Sequence, residues 1–329
     1  MKLVLDVMGT DFGPIEPINA AKDFVKKHQD VELILVGDEK VILPLIKDEP
    51  KLSCVNATDV VHTEDLIIKT MRNRETSMYK ALELVKNNLA DGILSGGSTA
   101  PYVVLSQVVI GNLPNINKAA FMSYIPTTTG NGMMLLDVGA NLNCTGEDLY
   151  QFAIMANIYT TSVRKVNNPK VAVLNIGTEK NKGSQYLQDA NELLLKEAGI
   201  NYQGFCESNR IINGENDIVV TDGYTGNITL KALEGSLTAI NKLMKGLYKK
   251  PWNWLGALSS LNVIKTIKHK FDYKNYAGAF VVGLQKTVVK THGSAKYKEF
   301  SSALRMLYEA VSEELVQKIA TKFNKQTEN

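Results

Sequence analysis

The chain is short of the residues on which several common chemistries depend. Its three cysteines, Cys54, Cys144 and Cys206, stand far apart and form no CxxC pair. A disulfide framework is therefore not expected, and thiols set in or beside apolar runs read as buried and reduced, as in a cytoplasmic protein. The four histidines, His28, His62, His269 and His292, show no HExxH or related spacing, so no metal site is expected. No apolar run approaches the roughly 20 residues that span a bilayer. The first residues, MKLVLDVMGTDFGP, alternate like a strand and are too acidic for a signal peptide. Phosphate and nucleotide signatures are missing too. There is no GxxxxGK[ST], no GxGxxG after the first strand with an acid some 20 residues on, and no GxSxG. A net charge of +3 does not by itself suggest a nucleic-acid binder.

What is present is a folded-protein composition, 44% apolar and 22% charged in 329 residues. Strand-like runs are expected at Leu3–Met8, Val31–Val36, Gly92–Leu94, Ala119–Ile125, Met133–Val138, Val171–Ile176 and Ile218–Thr221. Segments of helical spacing separate them. In SMYKALELVKNNLADG, Met78, Ala81, Leu82 and Val85 share a face that Leu89 continues. The acids of Thr145–Gly146–Glu147–Asp148 suit the start of another helix. Strands alternating with helices predict an α/β chain with a mostly parallel sheet covered on both faces. After Asn227 the pattern is almost wholly helical, interrupted near Lys250–Pro251 and Tyr276–Gly278. No linker or repeat divides residues 1–329, so one domain with a helical C-terminal portion is expected.

The strand ends carry the chemistry. DVMGTDFGP, SGGSTAP, DVGANLNC, NIGTEKNKG and TDGYTGNITLK each join glycines to Asp, Asn, Ser or Thr, and all five are expected at one end of the sheet. Glycine lets backbone approach a ligand, and free N–H groups at helix starts attract anions. The acids Asp6, Asp11, Asp137 and Asp222 there read as helix caps and loop anchors more readily than as metal ligands. Two side chains stand out. Lys182 is a point charge for phosphate, and the Asn227 amide can donate to an oxyanion without exchanging a proton. The plain alternatives are a solvated lysine and a helix N-cap asparagine.

These motifs, in this order, resemble the phosphate acyltransferase family. The likeness runs from LDVMGTDFGP at 5–14 through LVGDE at 35–39, SGGSTAP at 95–101 and LLDVGANLNC at 135–144. It continues through VLNIGTEKNKG at 173–183, DIVVTDGYTGNITLKALEG at 217–235 and KTHGSA at 290–295. The resemblance implies a three-layer α/β/α, Rossmann-like sandwich related to phosphotransacetylases and to isocitrate and isopropylmalate dehydrogenases. It implies transfer of a fatty acyl group from acyl carrier protein to inorganic phosphate, without a cofactor, by a homodimer. The acyl phosphate would pass to a membrane glycerol-3-phosphate acyltransferase for phospholipid synthesis. Lys182 and Asn227 match the family's catalytic lysine and asparagine. Gly9, Asp11, Gly13, Ser98, Thr99, Asn141, Gly177, Glu179, Gly183, Asp222, Gly226 and His292 are the expected phosphate- or substrate-binding positions. The chain departs from the family in reading MGTD for MGGD, SGGSTAP for SAGNTGA and GAFVVG for GAPLLG, which bears on substrate fit.

Residues 241–274 combine lysines with Trp252, Trp254, Leu255, Leu258 and Leu261, flanked by Lys249 and Lys250. Trp, Leu and flanking lysine form interfacial helices. This basic tip is expected either to rest on a membrane surface or to receive the acidic carrier protein; a helical hairpin packed on a partner copy is the plain alternative. Two rival functions share the pattern: a phosphotransacetylase-like enzyme using acyl-CoA, and an inactive membrane-surface scaffold.

Overall fold

The computed structural model describes residues 1–62, 64–248, 250, 252, 260–271 and 278–327. Eleven strands form one sheet: β1 Lys2–Asp6, β2 Glu32–Gly37, β3 Leu52–Asn56, β4 Gly92–Ser95, β5 Ala120–Ile125, β6 Met133–Leu136, β7 Lys170–Asn175, β8 Asn201–Glu207, β9 Ile218–Val220, β10 Gly278–Val282 and β11 Thr287–Thr291. The described residues also form eleven helices: α1 Ile15–Lys27, α2 Glu39–Ile46, α3 Ile67–Arg72, α4 Ser77–Lys86, α5 Thr99–Val109, α6 Gly146–Ser162, α7 Gln185–Lys196, α8 Gly223–Tyr248, α9 Leu261–Lys270, α10 Tyr297–Ser312 and α11 Leu315–Thr327. A short 3₁₀ turn, Ser208–Asn213, follows β8.

Strand alternation sorts the core into two layers. Leu3 and Leu5 face a cluster with Ile18, Phe152, Leu187, Phe300 and Ile319 from α1, α6, α7, α10 and α11. Val4, Ile93 and Val288 face the other way, onto Met78 and Leu82 of α4 and Tyr102 of α5, with Leu230 and Leu233 of α8 packed against that cluster. Each fully buried Leu, Ile or Phe contributes about 1.5–3 kcal/mol, and both sheet faces are closed. The expected three-layer α/β/α sandwich is therefore what forms. Local signals fix the helix starts. Thr145 and Asp148 make a full capping box at α6, and Thr76 accepts from the Tyr79 N–H at α4. The α4 pattern breaks off before Leu89, which is exposed.

Two expectations change. The stretch after Asn227 is not almost wholly helical, because β10 and β11 form a hairpin inserted in the middle of the sheet. The strand-end loops also do not share one edge. The order is β3-β2-β1-β4-β11-β10-β5-β6-β9-β7-β8. β3, β2, β1, β4 and β11 run parallel, and three antiparallel steps through β10 and β5 reverse the direction for β6, β9, β7 and β8. The loops after β1, β4 and β11 thus open on one edge, and those after β6, β7 and β9 on the other.

Candidate active site

The second edge carries both the Lys182 loop and the start of α8 with Asn227. β6, β9 and β7 are consecutive, so the loops after β6 and β7 start about 10 Å apart, two strand spacings, with the β9 loop between them. Asp137, fully buried at the end of β6, organises the first loop. Its Oδ1 accepts from the N–H groups of Phe121, Gly139 and Ala140 at 2.9–3.0 Å, and Oδ2 accepts from Asn141 N at 2.7 Å. Burial raises its pKa in spite of these hydrogen bonds.

Asn141 spends its amide hydrogens within this loop, on the Ala119 carbonyl and on Asp137. Its carbonyl accepts from Gly223 N at 2.8 Å, which seats the start of α8. Gly226 lies so close to the Asp137 carbonyl that no side chain fits there. A Cβ on Gly139 would stand 2.7 Å from Asn227 Nδ2, so the exposed Asn227 amide lies against bare backbone.

Asn227 is not the N-cap. α8 begins four residues earlier, and Asp222 fills the capping role by accepting from Thr225 N at 2.8 Å. The reason is the close packing of Gly223 on the β6 loop, which lets the helix start inside the glycine-rich stretch. Asp222 also accepts from the Tyr186 hydroxyl at 2.9 Å, tying α7 and the Lys182 loop to the β9 loop. Burial and this carboxylate push the Tyr186 pKa up.

The Lys182 loop is fastened by Asn175, whose Nδ2 donates to the Lys182 carbonyl at 3.0 Å and whose Oδ1 accepts from Ile176 N at 2.8 Å. Gly183 takes a φ of +88° directly against Asn175, a conformation that favours glycine. Lys182 folds back over Gly177, where an added Cβ would come within 2.7 Å of its Cδ. Its Nζ pairs with Glu179 Oε1 at 2.7 Å. That pairing raises the lysine pKa and lowers the glutamate's. Both side chains are half exposed, so the ammonium remains open to an incoming anion. Leu142, Ile176, Tyr224 and Ile228 surround this polar centre with exposed apolar surface, Ile176 at 79%.

The first edge carries Gly9, Asp11, Gly13, Ser98, Thr99 and His292. Gly9 and Gly13 have φ of +69° and +73°, and the Asp11 N–H donates to the Gly293 carbonyl at 2.9 Å, joining the β1 and β11 loops. Ser98 precedes α5 without a side-chain cap bond, and Thr99 opens the helix in an exposed position. The two edges are not isolated. Glu234 and Lys231 of α8, one to two turns beyond Asn227, act on the charge of His292. Incomplete hydration, then the Lys290 charge, hold His292 below the usual imidazole pKa.

Sequence reasoning passed over Asn175, Tyr186 and Lys290, and treated Asp6 and Asp137 only as two acids among several. Their signal is tertiary: which polar groups end up buried at strand ends. The thiols are inert, since burial pushes Cys54 up to about 11, Cys144 up to about 12 and Cys206 upward. Among the described residues no group of three His, Cys, Asp or Glu could hold a metal ion, and no helix is long and apolar enough to cross a membrane. Trp252 is exposed at 83% and Lys250 is exposed. Lys249, Trp254, Leu255 and Leu258 lie outside the described residues, as does the side chain of Leu261.

Comparison with known proteins bears on the family and the fold. Residues 1–318 match the model of a family described as fatty acid synthesis protein. The chain is 47% identical over 325 residues to the phosphate acyltransferase of Malacoplasma penetrans, covering 98% of each. It is 39% identical over 323 residues to that of Mycoplasma genitalium, again covering 98% of each. Its fold is like that of a phosphotransacetylase from Streptococcus pyogenes, with a TM-score of 0.63, 18% identity and 95% and 94% of the two chains covered. A 4-hydroxythreonine-4-phosphate dehydrogenase from Klebsiella pneumoniae matches at 0.52 and 10% identity over 94% of this chain and 99% of that one. Full-length identity at this level places the chain in the phosphate acyltransferase family, and it is an acyltransferase.

Proposed function

We propose that the protein transfers a fatty acyl group from acyl carrier protein to inorganic phosphate, releasing acyl phosphate for phospholipid synthesis. The observation that carries this reading is the meeting of the Lys182 loop and Asn227 at one sheet edge, rimmed by exposed apolar side chains. Phosphate held by Lys182 and the backbone of Gly177 and Gly183 attacks the thioester carbonyl. Asn227 donates to the carbonyl oxygen as its charge grows. Collapse of the tetrahedral intermediate breaks the C–S bond; the thiolate leaves and takes its proton from solvent, so no histidine or acylated side chain is required. Leu142, Ile176, Tyr224 and Ile228 suit the apolar part of the donor.

α8 supports the partners. Asn227, Lys231, Glu234, Thr238, Lys242 and Lys245 recur at helical spacing, so beyond the Lys231–Glu234 ion pair one exposed face carries Lys242 and Lys245 away from the site. That face suits an acidic carrier protein. A second exposed face, with Ile228, Ala232, Ala239, Ile240, Leu243 and Leu247, bears no charge. It suits a second copy of the chain, giving a homodimer. The 241–274 tip, with exposed Trp252, suits peripheral contact with a membrane that houses the next acyltransferase.

The test is thiol release from long-chain acyl carrier protein with and without phosphate, the product trapped by hydroxylamine. Phosphate-dependent release with trapped acyl hydroxamate is expected. Release from acyl-CoA alone would replace the carrier donor. No release from either donor by folded protein would end the reading.

A further inference from the structure

Asp6, Ser95 and Lys290 are register partners at the ends of β1, β4 and β11. They follow Val4, Ile93 and Val288 by two residues, so all three point to the face covered by α4, α5 and α8. All three are buried, Lys290 at 3% exposure. Ser95 Oγ donates to Asp6 Oδ2 at 2.7 Å and accepts from Gly97 N at 3.1 Å. Lys290 donates to the Thr291 carbonyl, and among the described residues no acid forms an ion pair with its ammonium. Burying such a group is costly unless it serves the fold or the site.

The loops that leave these three positions interlock. An added Cβ on Gly9 would meet the Gly97 backbone at 3.3 Å, and one on Gly293 would meet Asp11 Oδ1 at 3.2 Å. Asp6 and Asp11 both act on the Lys290 charge. The row therefore sits under loops whose His292 feels the charges of Lys231 and Glu234, one to two turns along α8 from Asn227.

We propose that Lys290 is a positioning residue for acyl transfer: its buried ammonium, at the base of the loops after β1, β4 and β11, holds them so that the start of α5 and His292 keep their place beside α8, the helix that carries Asn227. This rests on the acyl-transfer reading. Burial brings Lys290 down to about 7 and Asp6 up to about 6, so both change charge near neutral pH. The groups that bear on the row are Asp6, Asp11, His292, Ser77, Ser95 and the Tyr102 hydroxyl. Glu234 and Lys231 of α8 and Glu299 of α10 act on His292. Loss of the ammonium above about pH 7 loosens the loops and lowers turnover.

The experiment measures kcat and KM for phosphate against pH in wild type, Lys290→Met and Asp6→Asn, with thermal melting alongside. Lys290→Met is expected to lower kcat about 10²-fold, as a misplacement near 1 Å does, to leave the phosphate KM nearly unchanged, and to abolish the alkaline limb near 7. Asp6→Asn keeps an acceptor for Ser95 but removes the charge that supports the ammonium, so its alkaline limb moves to lower pH. Wild-type kcat and limb in Lys290→Met would overturn the proposal. Should Lys290→Met fail to fold, an unmoved limb in folded Asp6→Asn would overturn it equally. A wild-type enzyme without phosphate-dependent release would remove the underlying reaction first.

Discussion

In the proposed reaction Asn227 and Lys182 serve because the fold makes little use of them. The Asn227 amide rests against Gly139 and, among the described residues, has no hydrogen bond that would compete with a substrate oxygen, while Lys182 makes a half-exposed pair with Glu179. Lys182→Ala and Asn227→Ala are each expected to lower kcat/KM about 10²–10³-fold, the usual loss for one oxyanion donor, with melting temperature unchanged. Near-normal turnover in either variant would remove that residue from the site. Both were singled out by residue type and strand-end position. Asn175, Tyr186 and Asp222 were not legible as a unit, because the bond from Tyr186 to Asp222 joins positions 36 residues apart and forms only once β7 and β9 pair.

At the scale of the element, α8 is expected to divide its labour by face. Leu243→Glu puts a charge on the uncharged face and should shift the sedimenting mass from dimer to monomer. Lys242→Glu with Lys245→Glu lies on the other face and should keep the mass while raising KM for acyl carrier protein. A monomeric wild type, or a carrier KM indifferent to the lysines, would refute the corresponding assignment. For the 241–274 tip, wild type should sediment with anionic liposomes, and Trp254→Glu with Leu258→Glu should not; equal binding by both would discard the anchor. The sequence shows α8 as helical by its spacing. Its start at Gly223 rather than at Asn227 follows from Gly223 and Gly226 packing on the β6 loop, which no periodicity displays.

For the whole molecule, the buried charges make stability depend on pH. Asp6 has its folded pKa raised from 3.8 to about 6, so the folded state binds more protons than the unfolded one in that window and stability falls as pH rises through it. Lys290 has its folded pKa lowered from 10.5 to about 7, so the folded state binds fewer protons in that window and stability rises with pH through it. The double variant Asp6→Asn, Lys290→Met removes both slopes. Its melting temperature should gain most on wild type between about pH 6 and 7, where both buried groups carry charge against desolvation. A difference that does not vary with pH would contradict this account.

The α/β class, the alternating elements, the helix start at Thr145–Asp148 and the two leading site candidates follow from the sequence by itself, because periodicity, capping and residue chemistry are local. The direction of each half of the sheet does not. It depends on the β10–β11 hairpin, whose short apolar strands sit among helical patterns and pair with β4 and β5, far away in the chain. That reversal puts the glycine-rich loops on two edges instead of one. Which polar groups become buried, Asp137 under one edge and Asp6 with Lys290 under the other, is decided by the same packing, since burial is a property of the assembled layers.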